Sequence, residues 1–95
     1  MRRRTDANQK DIMDDLRACG CTVASLSNVG KGVPDLLVGV SGKNYLLEIK
    51  NPKGRGTAKT PDQKDWHEEW RGSVFTVTTT EEALKAMGVW HRGRV

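Results

Sequence analysis

Two carboxylates and one amine in this chain of 95 residues have the types and the spacing to act together. Asp35 stands at the start of the apolar run 36–40, and Glu48 and Lys50 lie inside a second apolar run, 45–50. Both runs have the composition of β-strands. Because only a short polar and glycine-containing segment separates the runs, the sequence predicts that they form one β-hairpin.

The position of the turn decides which residues meet across this hairpin. Residues 41–44 have turn composition. A turn there predicts three facing pairs: Val40 with Tyr45, Leu37 with Glu48, and Asp35 with Lys50. Facing side chains share a face of the sheet, and that face recurs at every second residue. We therefore expect Asp35, Glu48 and Lys50 to cluster on one face, and Ile49 to point to the other.

Such a cluster at a strand end suits a divalent cation with a water molecule held beside it, which is the chemistry of phosphodiester hydrolysis. Opposite charges also pair across strands simply to stabilise a sheet, so the pattern alone leaves both interpretations open. The flanking Leu46, Leu47 and Ile49 favour the functional interpretation, because charges inside an apolar strand are costly unless they are paired or bind a ligand. Pro34 fits a rigid, extended entry to the first strand.

Length and composition restrict the classes of function. A chain of 95 residues has room for one domain with a modest core. The net charge of +4 suits a polyanionic partner. No apolar run approaches the roughly 18 residues of a membrane span, and no apolar stretch follows the basic start 2–4 as it does in a signal peptide. We therefore expect no membrane association and a cytoplasmic location.

The chain has two cysteines, Cys19 and Cys21, which we expect to stay reduced as is usual in the cytosol. Together with His67 and His91 they offer zinc ligands. Their spacing matches no zinc motif, so the sequence disfavours a zinc site.

The elements that must position these residues follow from local patterns. Apolar periodicity, turn residues and capping residues predict the order α-β-β-β-α-β-α. The predicted helices cover residues 6–19, 61–71 and 80–88, and the predicted strands cover residues 22–26, 36–40, 45–50 and 74–78. Thr5 is the expected N-cap of the first helix, and Gly20 its stop. Thr60 and Gln63 have the spacing of a capping box at the start of the second helix.

This order resembles the αβββαβ core of the PD-(D/E)xK nuclease superfamily, and more narrowly the small stand-alone phage and bacterial members of the VRR-NUC (virus-type replication-repair nuclease) family. The residues that carry the resemblance are Gln9, Ile12, Leu16 and Gly20 in the first helix, Gly32, Pro34, Asp35 and Leu36 for G-x-P-D-L, Glu48 and Lys50 for E-x-K, and Gln63 in the following helix. The resemblance implies a single α/β nuclease domain over residues 1–95, whose central mixed sheet is flanked by helices. Composition predicts in addition a basic arm at 1–5, which either seeks DNA or only aids solubility, and a basic flexible loop at 51–60.

The resemblance further implies roles for the site residues. Asp35 and Glu48 would bind the catalytic Mg²⁺ or Mn²⁺, with the backbone carbonyl of Ile49 as a further ligand. Lys50 would orient or help to deprotonate the attacking water and offset charge on the phosphorane. Three further catalytic candidates come from two helices: Asp6, where the family usually has Glu, Gln9 and Gln63. Asp6 and Gln63 also have structural explanations, the first as an acid favoured by the helix dipole and the second as a capping residue.

The basic residues after the E-x-K strand are the expected DNA contacts: Lys53, Arg55, Lys59 and Lys64. A solvated loop without a partner is the alternative. Trp66 and Trp70 lie four residues apart, so we expect them on one apolar helix face, as core or dimer contacts rather than as base-stacking platforms.

The predicted function is a Mg²⁺- or Mn²⁺-dependent endonuclease acting on DNA in a bacterial or phage-infected cell. Its preference for branched or four-way-junction DNA comes from the resemblance alone. Because one site cuts one strand, two cuts across a junction predict a homodimer, with Trp70 or Trp90 contributing to the interface. The alternatives are a non-catalytic nucleic-acid-binding protein that retains the fold and a small interaction module. The intact Asp35, Glu48 and Lys50 argue against both.

Overall fold

The computed structural model describes residues 4–51 and 59–89, and for residues 4–7 it describes the backbone only. The elements within these ranges are α1 Arg4–Ala18, β1 Thr22–Ser25, β2 Leu36–Val40, β3 Lys43–Ile49, α2 Pro61–Glu69, β4 Val74–Val77 and α3 Thr80–Ala86. The strands form one sheet in the order β1-β2-β3-β4, in which β1, β2 and β3 are antiparallel neighbours and β4 runs parallel to β3. The element order and the mixed sheet predicted from the sequence are confirmed. None of the helices in these ranges is long and apolar enough to span a membrane.

The turn between β2 and β3 is shorter than the sequence predicts. Ser41 and Gly42 alone connect the strands, with φ angles of 53° and 78°. Two consecutive residues with positive φ give a tight turn whose twist matches that of the strands. Val40 therefore faces Lys43 instead of Tyr45. This displaces the predicted register by two residues, and an even displacement leaves each side chain on its predicted face of the sheet.

The hydrophobic core lies between one face of the sheet and the helices α1 and α3. The sheet contributes Leu36, Val38, Leu47, Ile49 and Val77, and the helices contribute Ile12, Leu16, Ala83, Leu84 and Met87. Because side chains alternate along a strand, the intervening residues of β2 and β3 point to the opposite face. That opposite face meets α2, whose Gln63 is hydrogen-bonded to residues of β3 and its end.

The predicted helix starts are confirmed only in part. Thr60 is the N-cap of α2: its hydroxyl accepts a hydrogen bond from the Gln63 N–H at 3.2 Å, and Gln63 Oε1 accepts one from the Thr60 N–H at 3.0 Å. The predicted capping box is therefore present. α1 begins at Arg4, so Thr5 lies inside the helix and is not its N-cap. The other boundaries lie within about two residues of the predicted ones, as is usual for element ends.

Candidate active site

Asp35 and Glu48 meet at the open end of the hairpin. The register of β2 and β3, continued by one residue beyond its last pair, brings Asp35 opposite Glu48. The predicted pairs Asp35–Lys50 and Leu37–Glu48 are therefore wrong, because the turn is tighter than its composition indicates. Asp35 Oδ2 accepts a hydrogen bond from the Ile49 N–H at 2.7 Å, which ties this carboxylate to the end of β3. The predicted clustering of the two carboxylates on one face is thus present, although the facing pairs differ.

Gln63 of α2 connects the members of this cluster. Its Nε2 donates a hydrogen bond to Glu48 Oε2 at 2.9 Å, and its Oε1 accepts one from Lys50 Nζ at 3.0 Å. Lys50 Nζ also lies 3.4 Å from Glu48 Oε2. Because Gln63 Oε1 closes the capping box with Thr60 as well, one side chain holds the start of α2 against the end of β3. Gln63 therefore has its capping role and contacts the predicted site residues too.

One carboxylate oxygen of Glu48 is buried without a hydrogen-bond partner among the described residues. This atom is Oε1, and the residue is only 2 % exposed. A buried carboxylate oxygen without a partner is costly. A divalent cation held by Glu48 and Asp35 would satisfy it, since oxygen atoms are the ligands that Mg²⁺ prefers. The donor types present therefore fit such a cation.

Asp35 and Glu48 are the two carboxylates among the described residues that could bind this cation. Among the described side chains, which are those of residues 8–51 and 59–89, no group of three or more His, Cys, Asp or Glu is placed to hold a metal ion. The remaining ligands would then be water and backbone oxygen, such as the carbonyl of Ile49. Mg²⁺ is usually bound in this way, through one or two carboxylates and several waters.

Burial disfavours the negative charge of the cluster. Removal from water, and then the charge of Asp35, raise the pKa of Glu48 to about 7, although Lys50 opposes the shift. Burial likewise raises the pKa of Asp35, against the opposing effects of the Ile49 N–H and of Lys50. A nearby positive charge stabilises the ionised form of a carboxyl group. A bound cation would therefore favour ionisation of both residues.

The loop before β2 reaches α2 through Gly32. Its φ angle is 82°, and a Cβ atom at this position would meet the backbone of Asp62 and Gln63. Glycine alone combines that backbone conformation with so close an approach. Pro34 follows and is fully buried. The G-x-P-D segment thus packs against the first turn of α2 and brings Asp35 and Gln63 to the same place.

α1 contributes Asn8 to the edge of the site. Asn8 Nδ2 donates a hydrogen bond to the backbone carbonyl of Lys50 at 3.2 Å. The predicted Gln9 is half-buried and forms no hydrogen bond with the described atoms of the cluster. The side chain of the predicted Asp6 lies outside the described part of the chain. Asn8 was not predicted, although it stands four residues before the buried Ile12 and thus on the sheet-facing side of the helix.

The predicted DNA contacts are described only in part. Lys53 and Arg55 lie outside the described residues. Lys59 is half-buried, and its positive charge acts against the rise in the pKa of Glu48, so it lies near the cluster. Lys64 is exposed on α2.

Trp66 and Trp70 stack on each other, with ring centroids 4.6 Å apart and an angle of 17° between the rings. Trp66 is half-buried, whereas Trp70 is 44 % exposed. Trp70 is therefore not a core residue. The third tryptophan, Trp90, lies outside the described residues.

Comparison with known proteins finds one solved structure that is similar to this fold. A solved structure described as a VRR_NUC domain matches with a TM-score of 0.67 and 28 % sequence identity, over 92 % of this chain and 97 % of the solved one. Neither a protein-family model nor a curated protein matches the chain. The match thus spans nearly all of both chains. The resemblance to the VRR-NUC family that the sequence indicates is thereby confirmed.

Proposed function

We propose that this protein is a metal-dependent endonuclease that hydrolyses phosphodiester bonds in DNA. The observation that carries the proposal is the meeting of Asp35, Glu48 and Lys50 at one strand end, around a buried Glu48 oxygen that lacks a partner among the described residues. The likeness to a solved VRR_NUC domain also supports a nuclease-type function.

Each member of the cluster has a distinct role in the proposed reaction. Asp35 and Glu48 hold Mg²⁺ or Mn²⁺, with the Ile49 carbonyl as a further ligand. When bound, the cation lowers the pKa of a water molecule and neutralises charge that develops on the phosphate. Lys50 orients the attacking water and offsets negative charge on the phosphate oxygens. Gln63 keeps Lys50 and Glu48 in position through its two hydrogen bonds.

DNA as the substrate is supported by charge. The chain carries a net charge of +4, and Lys59 lies near the cluster at the end of the segment that includes Lys53 and Arg55. We propose that these residues and Lys64 contact phosphates that flank the cleaved bond.

Branched DNA, and four-way junctions in particular, are the proposed preferred substrates. A junction is resolved by two cuts, whereas each copy of the chain supplies one carboxylate cluster. A homodimer is therefore the proposed assembly, because two-fold symmetry relates two identical sites across one branch point.

The direct test is incubation of the purified protein with linear, flap and four-way-junction DNA in the presence of Mg²⁺, Mn²⁺ or EDTA. We expect cleavage with a metal and none with EDTA. Asp65→Asn changes an exposed carboxylate of α2 outside the cluster, so it is the matched control and should cut normally. A protein that binds these DNAs but cuts none of them with either metal would be a non-catalytic binding protein, and the proposal would be wrong.

A further inference from the structure

An apolar groove lies beside the cluster on the same face of the sheet. Leu37, Leu46 and Trp70 border a groove of about 320 Å³ together with Asn44 and Tyr45. Leu37 is 39 % exposed and Trp70 is 44 % exposed, and because both line the same groove they present apolar surface together. The volume lies at the lower end of the range of small-ligand sites, which begins at roughly 300 Å³.

The aromatic wall of this groove is held in place. Trp66 stacks against Trp70 at 4.6 Å and 17°, so one partner already fixes the plane of the indole. Gly72 lies against the Trp70 ring, because a Cβ atom there would meet the indole Nε1 edge. A flat ring extends such a stack at little entropic cost, since the indole is already ordered.

The groove lies close to the proposed active site along β3. Leu46 lies two residues before Glu48 on β3 and on the same face, a separation of about 7 Å along a strand. Trp70 is the C-cap of α2, which also carries Gln63 and Trp66. The distance corresponds to about two steps of a nucleic-acid strand at roughly 3.4 Å per nucleotide in a duplex. A strand whose phosphate lies at Glu48 therefore has a nearby nucleotide within reach of the groove at Leu46, which Trp70 also lines.

The polar residues around the groove fit the other parts of a nucleotide. Arg71, which is exposed, adjoins the lining residue Trp70 in the chain. The exposed Asn44 amide can exchange hydrogen bonds with the edge of a base. The acidic residues of α2 are exposed and none lines the groove: Asp62, Asp65, Glu68 and Glu69. The lining therefore offers a stacking plane and an amide without a carboxylate that would repel a phosphate.

We infer that this groove binds an unpaired nucleobase of the DNA substrate, stacked on Trp70, close to the bond that is cut. The inference rests on the proposed nuclease function and deepens it, because only an unstacked base can enter such a groove. A flap or branch point supplies unpaired bases, whereas a continuous duplex does not. Trp70 is thus a specificity-determining residue for branched DNA.

Binding in EDTA tests the groove without requiring cleavage. Fluorescence anisotropy of a labelled single-stranded oligonucleotide should show affinity reduced by about 5- to 150-fold in Trp70→Ala, because base stacking on an aromatic ring contributes about 1–3 kcal/mol. Trp70→Phe should retain most of the affinity. Val29→Ala, which shortens an apolar side chain that is 56 % exposed in a loop, is the matched control and should bind as the wild type does.

The DNA itself supplies a second comparison. In Mg²⁺, the ratio of the cleavage rate of flap DNA to that of linear duplex DNA should be lower for Trp70→Ala than for the wild type. The ratio should also fall for the wild type when the flap has abasic sites in place of the nucleotides near the branch. These abasic flaps test the groove with an unaltered protein, so the result does not depend on the folding of a variant. Wild-type protein that cuts no DNA at all contradicts the proposed function, whereas normal cutting with an unchanged ratio contradicts the groove.

Two results would overturn the inference. One is single-strand affinity in Trp70→Ala equal to that of Val29→Ala. The other is a Trp70→Ala variant that is a monomer in light scattering where the wild type is a dimer, and that keeps its preference for flaps. The groove would then be an interface between two copies of the chain.

Discussion

Glu48 is the residue in which stability and the proposed activity conflict. Its side chain is buried beneath Gln63, and one of its oxygens has no partner among the described atoms. A glutamine at this position would remove a buried charge and so benefit the fold. The presence of a carboxylate is therefore explained by what it can hold, and functional sites are where such conflicts are expected.

We expect the metal-free protein to lose stability as the pH rises from about 4.5 to about 7. The Glu48 carboxyl has a pKa of about 7 in the folded chain, against an ordinary value of 4.5, so the folded state binds the proton more tightly in this range. The stabilisation that the Glu48 proton gives to the folded state is complete below about pH 4.5 and is lost above about pH 7. It amounts to at most about 3 kcal/mol. Urea unfolding in EDTA at about pH 5 and about pH 8 measures it.

Glu48→Gln is the control for this pH dependence. The variant should lose most of the slope and should be more stable than wild type at about pH 8 in EDTA. Addition of Mg²⁺ should stabilise the wild type by mass action and leave the variant unchanged. If the slope persists in Glu48→Gln, it belongs to other groups, of which Asp35 is the first candidate because burial raises its pKa as well.

Catalysis is expected to depend on the two carboxylates and the lysine in different ways. Asp35→Asn and Glu48→Gln should each lower the cleavage rate by about 10³-fold or more while DNA binding is largely retained, because they remove proposed metal ligands. Lys50→Ala should also cut slowly but keep its affinity for the metal. Single-turnover cleavage and calorimetric Mg²⁺ titration separate these effects. Full activity in Asp35→Asn or Glu48→Gln would refute the assignment of the site.

At the scale of elements, the contact between the G-x-P-D loop and α2 positions the cluster. Gly32→Ala should destabilise the protein by several kcal/mol, because the new methyl group would meet the backbone of Asp62 and Gln63. Gly30→Ala is the matched control: Gly30 also has a positive φ angle, of 76°, but has open space around it, so only the conformational cost of about 1 kcal/mol applies. Chemical denaturation of both variants gives the difference. If the two variants lose the same free energy of unfolding, the close approach of Gly32 to α2 does not contribute to stability.

The segment between β3 and α2 is the element expected to hold the DNA backbone. Neutralising Lys53, Arg55 and Lys59 together should weaken binding to all DNA sequences alike, because phosphates carry no sequence information. Each lost phosphate contact should reduce the slope of log affinity against log salt concentration by about 0.9 for duplex DNA. Filter binding across a series of salt concentrations measures this slope. The same slope in the triple variant would mean that the segment does not touch the backbone.

For the whole molecule, we expect an assembly of two chains. One chain has a mass of 10.6 kDa and one carboxylate cluster, whereas a four-way junction needs two cuts. Light scattering at micromolar protein should therefore give twice the mass of a single chain. A mass near 10.6 kDa, in a preparation that still cuts both strands of a junction, would refute the dimer.

Local sequence was sufficient for the elements and for the faces of the hairpin. The capping box of Thr60 and Gln63 involves residues three positions apart, and the alternation that puts Asp35 and Glu48 on one face needs only the period of a strand. Both depend on neighbours along the chain, so both could be predicted. The G-x-P-D-L and E-x-K patterns could likewise be read before any contact was known.

Tertiary structure alone decided the contacts between distant segments. The tight turn at Ser41 and Gly42 set the register, and the packing of α2 on the sheet brought Gln63 to Glu48 and Lys50. These contacts depend on which faces are buried together and on the closest distance that glycine permits, and neither is contained in local propensity. The exposure of Trp70 was decided in the same way. Its spacing from Trp66 predicted that the two rings lie close together, but the exposed fraction of each ring depends on which distant segments pack against it.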